Sequence, residues 1–290
     1  MQVKKYDPRV SDILGVALIA LALMEILFAL LTARTVPSIF SLLIAVLLQL
    51  PMYFVPVFFV VFAYKRLRWS MPELAREMDY NRRAMLTVST FGGIVIMQTL
   101  YAAVFPSTVP SVGVKDAESL LAFLLLSFSS VVLPAMLEEL FFRGIVLRAL
   151  TVYRALMAIL VSSLVNALLC FSLEAFPIRF FCAFLIGSLY YATGSLSVAI
   201  SVHVMTNAVW FLSETVEVYA SAQHGLFMRV LVVSCTLLLA FGLPFLKRTV
   251  RAILADVDDE QVMPSSHFWS VPIIVFLVLA VGIQLLLASW

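Results

Sequence analysis

Residues 39–63 read IFSLLIAVLLQLPMYFVPVFFVVFA, a run without one charged side chain. An α-helix rises 1.5 Å per residue, so about 20 apolar residues cross a hydrocarbon layer about 30 Å thick. This run exceeds that length, and in lipid only a helix satisfies its own backbone polar groups within one segment. The same reading holds for 11–33, 85–105, 119–142, 155–173, 178–193, 195–213, 226–246 and 270–289. The shortest, 178–193, is separated from its successor only by Thr193-Gly194 and reads as a tilted span or a re-entrant segment lining a cavity. The expected fold is all-α: a polytopic transmembrane helical bundle of eight or nine spans.

Composition agrees. Of 290 residues, 63% are hydrophobic and 12% charged, and the mean hydropathy is +1.08. A soluble domain of this length has no place to hide so much apolar surface. The net charge of +2 is spread without a basic face for nucleic acid. Cys170, Cys182 and Cys235 lie in apolar stretches and form neither a disulfide framework nor a CxxC metal clip. The first run is too long for a cleaved signal and reads as a span.

The Lys and Arg residues sort the loops. Lys4, Lys5 and Arg9, then Lys65 to Arg83, then Arg143, Arg148 and Arg154, then Lys247, Arg248 and Arg251 fall on one side of a nine-span chain. The poorer loops 106–118 and 214–225, the latter with Glu214 and Glu217, fall on the other. This places the N-terminus in the cytoplasm and Trp290 outside. The charged stretch 64–84 reads as a connector that lies as a surface helix, and 247–270 as a second connector. The whole of 1–290 reads as a single membrane domain, with 119–213 as its motif-bearing core and 1–105 and 226–290 as peripheral spans and connectors. Short loops and no organelle signal point to a bacterial cell membrane.

Ionisable or amide groups inside a span are expensive and call for a reason. Three places stand out. Glu138-Glu139-Leu140-Phe141-Phe142-Arg143-Gly144 ends the fourth span, one turn after Pro134. Glu139 and Arg143 are four apart, share a helix face and can pair. Glu138 points about 100° away and is free to face something else, as a carboxylate able to take a proton from water. His203 and Asn207 share a face of the seventh span in the same way, while His224 and His267 lie in loops. Asn166 and Cys170, again four apart, lie on the fifth span. Glu138 and His203 can meet in one water-filled cavity.

These residues resemble the signature of the CAAX-processing and bacteriocin-processing membrane proteases, the CPBP or Abi family. Glu138, Glu139 and Arg143 match its Glu-Glu-x-x-x-Arg motif, and His203 with Asn207 matches its last motif. Between them the family carries an aromatic residue and, four positions on, a histidine; here the aligned positions are Asn166 and Cys170. The resemblance covers 119–213. It implies an intramembrane peptidase acting on a membrane-associated peptide or protein. Glu138 would be the general base, Glu139 and Arg143 would position it, and His203 and Asn207 would stabilise the oxyanion. Cys170 at the histidine position makes a second reading concrete: a catalytically impaired relative acting as scaffold or regulator of a partner membrane protein. A thiol nucleophile at Cys170 with His203 as base, a zinc held by Glu138, His203 and Cys170, and a transporter using the same polar groups are further readings. None brings a cofactor requirement of its own except the zinc site.

Overall fold

The computed structural model describes residues 9–32, 38–72, 74, 78–106, 113–117, 119–255 and 268–288. Lys4, Lys5, Arg76, His267 and Trp290 lie outside them, as does most of the loop 106–118. The long helices are α1 (Arg9–Thr32), α2 (Ile39–Arg66), α3 (Tyr80–Val104), α4 (Leu120–Leu150) and α5 (Ala155–Leu168). They continue as α6 (Phe176–Thr193), α7 (Leu196–Tyr219), α8 (Ser221–Ala255) and α9 (Val271–Ala288). Seven are long and apolar enough to cross a membrane; α5 and α9 are shorter apolar helices. The outer surface is correspondingly greasy, with Phe40, Phe58, Phe62, Phe241 and Val278 all exposed. This is a polytopic helical membrane protein.

Local sequence sets the ends. Ser38 and Ser41 form a reciprocal cap on α2, Asp79 accepts the first N–H groups of α3, and Ser119 accepts the Ala122 N–H of α4. Gly194 stops α6 in the left-handed region at φ 63°, the conformation glycine adopts without penalty, and α7 starts two residues later. The uncertain segment 178–193 therefore lies in a helix of 18 residues, Phe176–Thr193, long enough to cross.

Three expectations change. α5 stops at Leu168, and at 14 residues spans about 21 Å, short of a crossing. Phe171 at φ 46° turns the chain, so Cys170 sits in a turn and does not share a helix face with Asn166. In the connector 64–84, the described residues between Arg66 and Asp79 are not helical, so the expected surface helix is not seen among them. Trp69 packs under the Arg9 guanidinium, and the Pro72 carbonyl accepts from Arg148 Nε, so tertiary contacts override local propensity there. His224 belongs to the first turns of α8, where its Nε2 lies 3.0 Å from Ser213 Oγ.

Two apolar clusters share α5. One packs α1, α2, α4 and α9 against it, and the other packs α3, α6, α7 and α8. α3 lies so close to α8 that a Cβ on Gly92 would stand 2.6 Å from the Cys235 carbonyl oxygen. Small residues let membrane helices approach in this way. Gly92→Ala is therefore expected to destabilise the chain by roughly 1–3 kcal/mol. Gly282→Ala, where a Cβ meets nothing within 4 Å, should not. Thermal unfolding of both variants in detergent checks this, and equal melting temperatures would sink it.

Candidate active site

A cavity of about 530 Å³ opens among α3, α4, α5, α6, α7 and the turn after α5. All seven residues singled out from sequence line it: Glu138, Glu139, Arg143, Asn166, Cys170, His203 and Asn207.

Glu139 is fully buried, and Arg143 is 1% exposed. Arg143 Nε lies 3.0 Å from Glu139 Oε2, and His203 Nδ1 lies 2.8 Å from Glu139 Oε1. Arg143 Nη2 also donates to the Ala183 carbonyl at 2.9 Å. One carboxylate thus ties α4 to α7, and its cation ties α4 to α6. Oε1 is hydrogen-bonded and Oε2 is held by the ion pair alone, without a hydrogen bond, so this carboxylate is part of the frame. Glu138 projects from the next position into the cavity, with its side chain 14% exposed. It accepts no hydrogen bond from the described residues, and its near charge is Arg179, whose Nη1 is 4.0 Å from Glu138 Oε1.

The backbone of α4 widens twice into π-helical turns, at Phe128–Val132 and Phe142–Leu147. Such turns can free carbonyls, and side chains of three other helices donate to carbonyls here. Pro134 has no N–H to return to the first widened turn. Gln49 Nε2 donates to the Ser129 carbonyl at 3.2 Å, and Asn207 Nδ2 to that of Val131 at 3.4 Å. Ser162 Oγ donates to the Phe142 carbonyl at 3.0 Å beside the second. Asn207 is in this way hung on α4, opposite the carboxylates.

The Glu139 contact limits what His203 can do. A carboxylate only accepts, so Nδ1 carries the proton and Nε2 is the ring's remaining polar atom. A neutral ring offers a lone pair at Nε2; only the imidazolium donates there. At the middle-motif position, the Cys170 thiol points at the Ser172 carbonyl, 3.4 Å away, and burial pushes its pKa up. Asn166 is 8% exposed and its amide makes no hydrogen bond among the described residues. Glu138, His203 and Cys170 share the cavity without converging: no group of three metal-ligating side chains forms among the described residues.

The sequence reading passed over several wall residues. Arg179 is the single charge in Phe176-Pro177-Ile178-Arg179-Phe180-Phe181, and that isolation was the available signal. Glu25 of α1, which does not line the cavity, accepts a 3.0 Å hydrogen bond from Tyr53 Oη. Trp210 Nε1 donates to Gln98 Oε1 at 2.8 Å and closes the α3–α7 side.

Residues 120–209 match a family model described as Rce1-like, type II CAAX prenyl endopeptidase Rce1-like. No curated protein and no solved structure matches the chain. The matched stretch runs from the start of α4 into α7 and contains all seven residues singled out from sequence. The segment that builds the carboxylate side of this cavity is thus similar to the Rce1-like type II CAAX prenyl endopeptidases.

Proposed function

We propose that this membrane protein is an intramembrane peptidase that hydrolyses a peptide bond of a membrane-associated peptide or protein with water activated by Glu138. The observation that carries the reading is the division of labour between adjacent carboxylates. Glu139 spends both oxygens on Arg143 and His203, whereas Glu138 faces the cavity with none spent on a hydrogen bond. Glu138 takes a proton from water as the water oxygen bonds to the scissile carbonyl carbon. The carbonyl oxygen becomes an oxyanion, for which Asn207 and an imidazolium His203 are the nearby donors. Glu138 then returns the proton to the departing amine nitrogen as the C–N bond breaks. The basic clusters that precede α5, up to Arg83 and then Arg143, Arg148 and Arg154, support a cell-membrane protein with a cytoplasmic N-terminus, and reporter fusions to successive loops test that orientation.

The Cys170 geometry favours one competing reading, a membrane scaffold or regulator without catalysis. Its thiol is committed to Ser172, and no imidazole stands at that position beside Glu138.

Glu138→Gln is expected to lower peptide cleavage roughly 100- to 10,000-fold and leave thermal stability unchanged. Glu139→Gln should instead destabilise the chain by about 3–5 kcal/mol, because Arg143 would be left buried without its anion. Cleavage of a fluorogenic library of membrane-anchored peptides, with melting curves on the same preparations, separates the two effects. Unchanged cleavage by Glu138→Gln would overturn the proposed base.

Cys170→His carries the second test. A faster Cys170→His variant against a slow but active parent supports a peptidase. A silent parent whose Cys170→His variant cleaves supports the scaffold reading.

A further inference from the structure

α3 and α8 run antiparallel at close quarters. A Cβ on Gly92 meets Cys235, and one on Gly242 would collide with the Ser89 side chain and stand 3.1 Å from the Met85 carbonyl oxygen. Both helices rise 1.5 Å per residue, so from this crossing residues 245–250 of α8 stand level with residues 79–84 at the start of α3. Ile253, further along α8, joins the same apolar cluster as Met78 and Leu74, which agrees with that register. This end of the seam carries five cations: Arg82 and Arg83 on α3, and Lys247, Arg248 and Arg251 on α8. None forms an ion pair among the described residues. Arg82 Nε and Arg83 Nε are buried without a hydrogen-bond partner, and so is Thr249 Oγ1, on a residue 7% exposed. Three donors withdrawn from water at one end of one seam are costly unless an acceptor arrives. The described acid closest in sequence, Asp79, spends Oδ2 on the Asn81 and Arg82 N–H groups.

The level of these groups names the acceptor. Residues 230–246 of α8 hold no charge and rise about 26 Å, close to the hydrocarbon thickness, and Lys247 follows directly. The cations therefore stand where lipid headgroups lie. Leu243, Val250 and Leu254 are exposed on the same stretch of α8. A ligand that brings an oxyanion to the donors and hydrocarbon to these side chains meets both demands, and arginine suits a phosphate in particular. We propose that the α3–α8 seam binds the phosphate of an anionic phospholipid, with Arg82, Arg83 and Thr249 as donors, Lys247 and Arg248 as supporting cations, and acyl chains along α8. A zwitterionic lipid is disfavoured, because its own cation meets five others. The site lies outside residues 120–209 and does not rest on the peptidase reading.

The other acids close in sequence, Glu73, Glu77, Asp256, Asp258, Asp259 and Glu260, lie outside the described residues. The test therefore uses the full chain, with any competition from them built in. The protein is held in zwitterionic detergent and titrated with dioleoyl phosphatidylglycerol, dioleoyl phosphatidylcholine or glycerol phosphate, and native mass spectrometry counts the bound molecules. Phosphatidylglycerol should bind roughly 10- to 100-fold more tightly than phosphatidylcholine. Arg82→Gln/Arg83→Gln should erase that preference, Arg82→Lys/Arg83→Lys should keep part of it, and Thr249→Val should weaken it roughly 3- to 10-fold. Lys65→Gln/Arg66→Gln removes the same charge from the exposed end of α2 and should leave it intact. Melting curves in lipid-free detergent report folding; where Arg82→Gln/Arg83→Gln has lost its fold, Thr249→Val decides, and an undiminished preference there overturns the proposal. Equal binding of the two lipids to the parent protein also overturns it. An equal loss in Lys65→Gln/Arg66→Gln does so too, since diffuse surface charge then accounts for the binding. Glycerol phosphate bound as tightly as phosphatidylglycerol gives the seam to a soluble phosphate and overturns the lipid assignment.

Discussion

The Glu139 carboxylate is the constraint around which the core is arranged. It is wholly removed from solvent, and a charge so placed is tolerated only when its lone pairs are met. Arg143 meets one oxygen from the same helix, and His203 meets the other from α7. Arg143 in turn reaches the Ala183 carbonyl of α6. Three helices are fixed in rotation about their own axes by one anion. Non-directional apolar packing cannot do this, because lipid competes with it on nearly equal terms.

That frame also decides which carboxylate is free for chemistry. Successive residues on a helix diverge by about 100°, so burying Glu139 in the α6–α7 seam turns Glu138 into the cavity. The widened turns of α4 extend the same logic to the backbone. Gln49, Asn207 and Ser162 bind α2, α7 and α5 to α4 by donating to the Ser129, Val131 and Phe142 carbonyls in its widened turns. Polar ties join the helices around the cavity, and Glu138 and Arg179 line it.

The helices and the paired motifs were legible because their signals are local. Uncharged runs longer than a bilayer announce spans, and a spacing of four announces a shared face, as for Glu139 with Arg143. The end of α5 was not legible. Asn166-Ala167-Leu168-Leu169-Cys170 is as apolar as any helix interior, and nothing in it marks the left-handed turn at Phe171 that places Cys170 in the wall. The widened turns of α4 were equally hidden, since the groups that satisfy them come from residues up to 80 positions away. The partner of His203 was hidden for the same reason: a spacing of 64 residues leaves no periodic trace. Arg179 differs, because a lone cation in an apolar helix is visible in the sequence. It was overshadowed by motifs with a partner at fixed spacing, and an unpaired charge carries its meaning only once the wall around it is known.

The separation of frame from chemistry explains how a cysteine can occupy position 170. Cys170 makes no hydrogen bond to Glu139, to Arg143 or to α4 among the described residues; its thiol donates to the Ser172 carbonyl of its own loop. A change there alters what the cavity presents to a ligand without disturbing the anion that orders the helices. Position 139 has no such freedom, since removing its charge strands a buried guanidinium. Sequence change in this fold is therefore cheap at the cavity wall and expensive one residue along from Glu138. A chain that keeps the frame intact can shift its chemistry, its rate or its ligand through wall residues such as Cys170, Asn166 and Arg179.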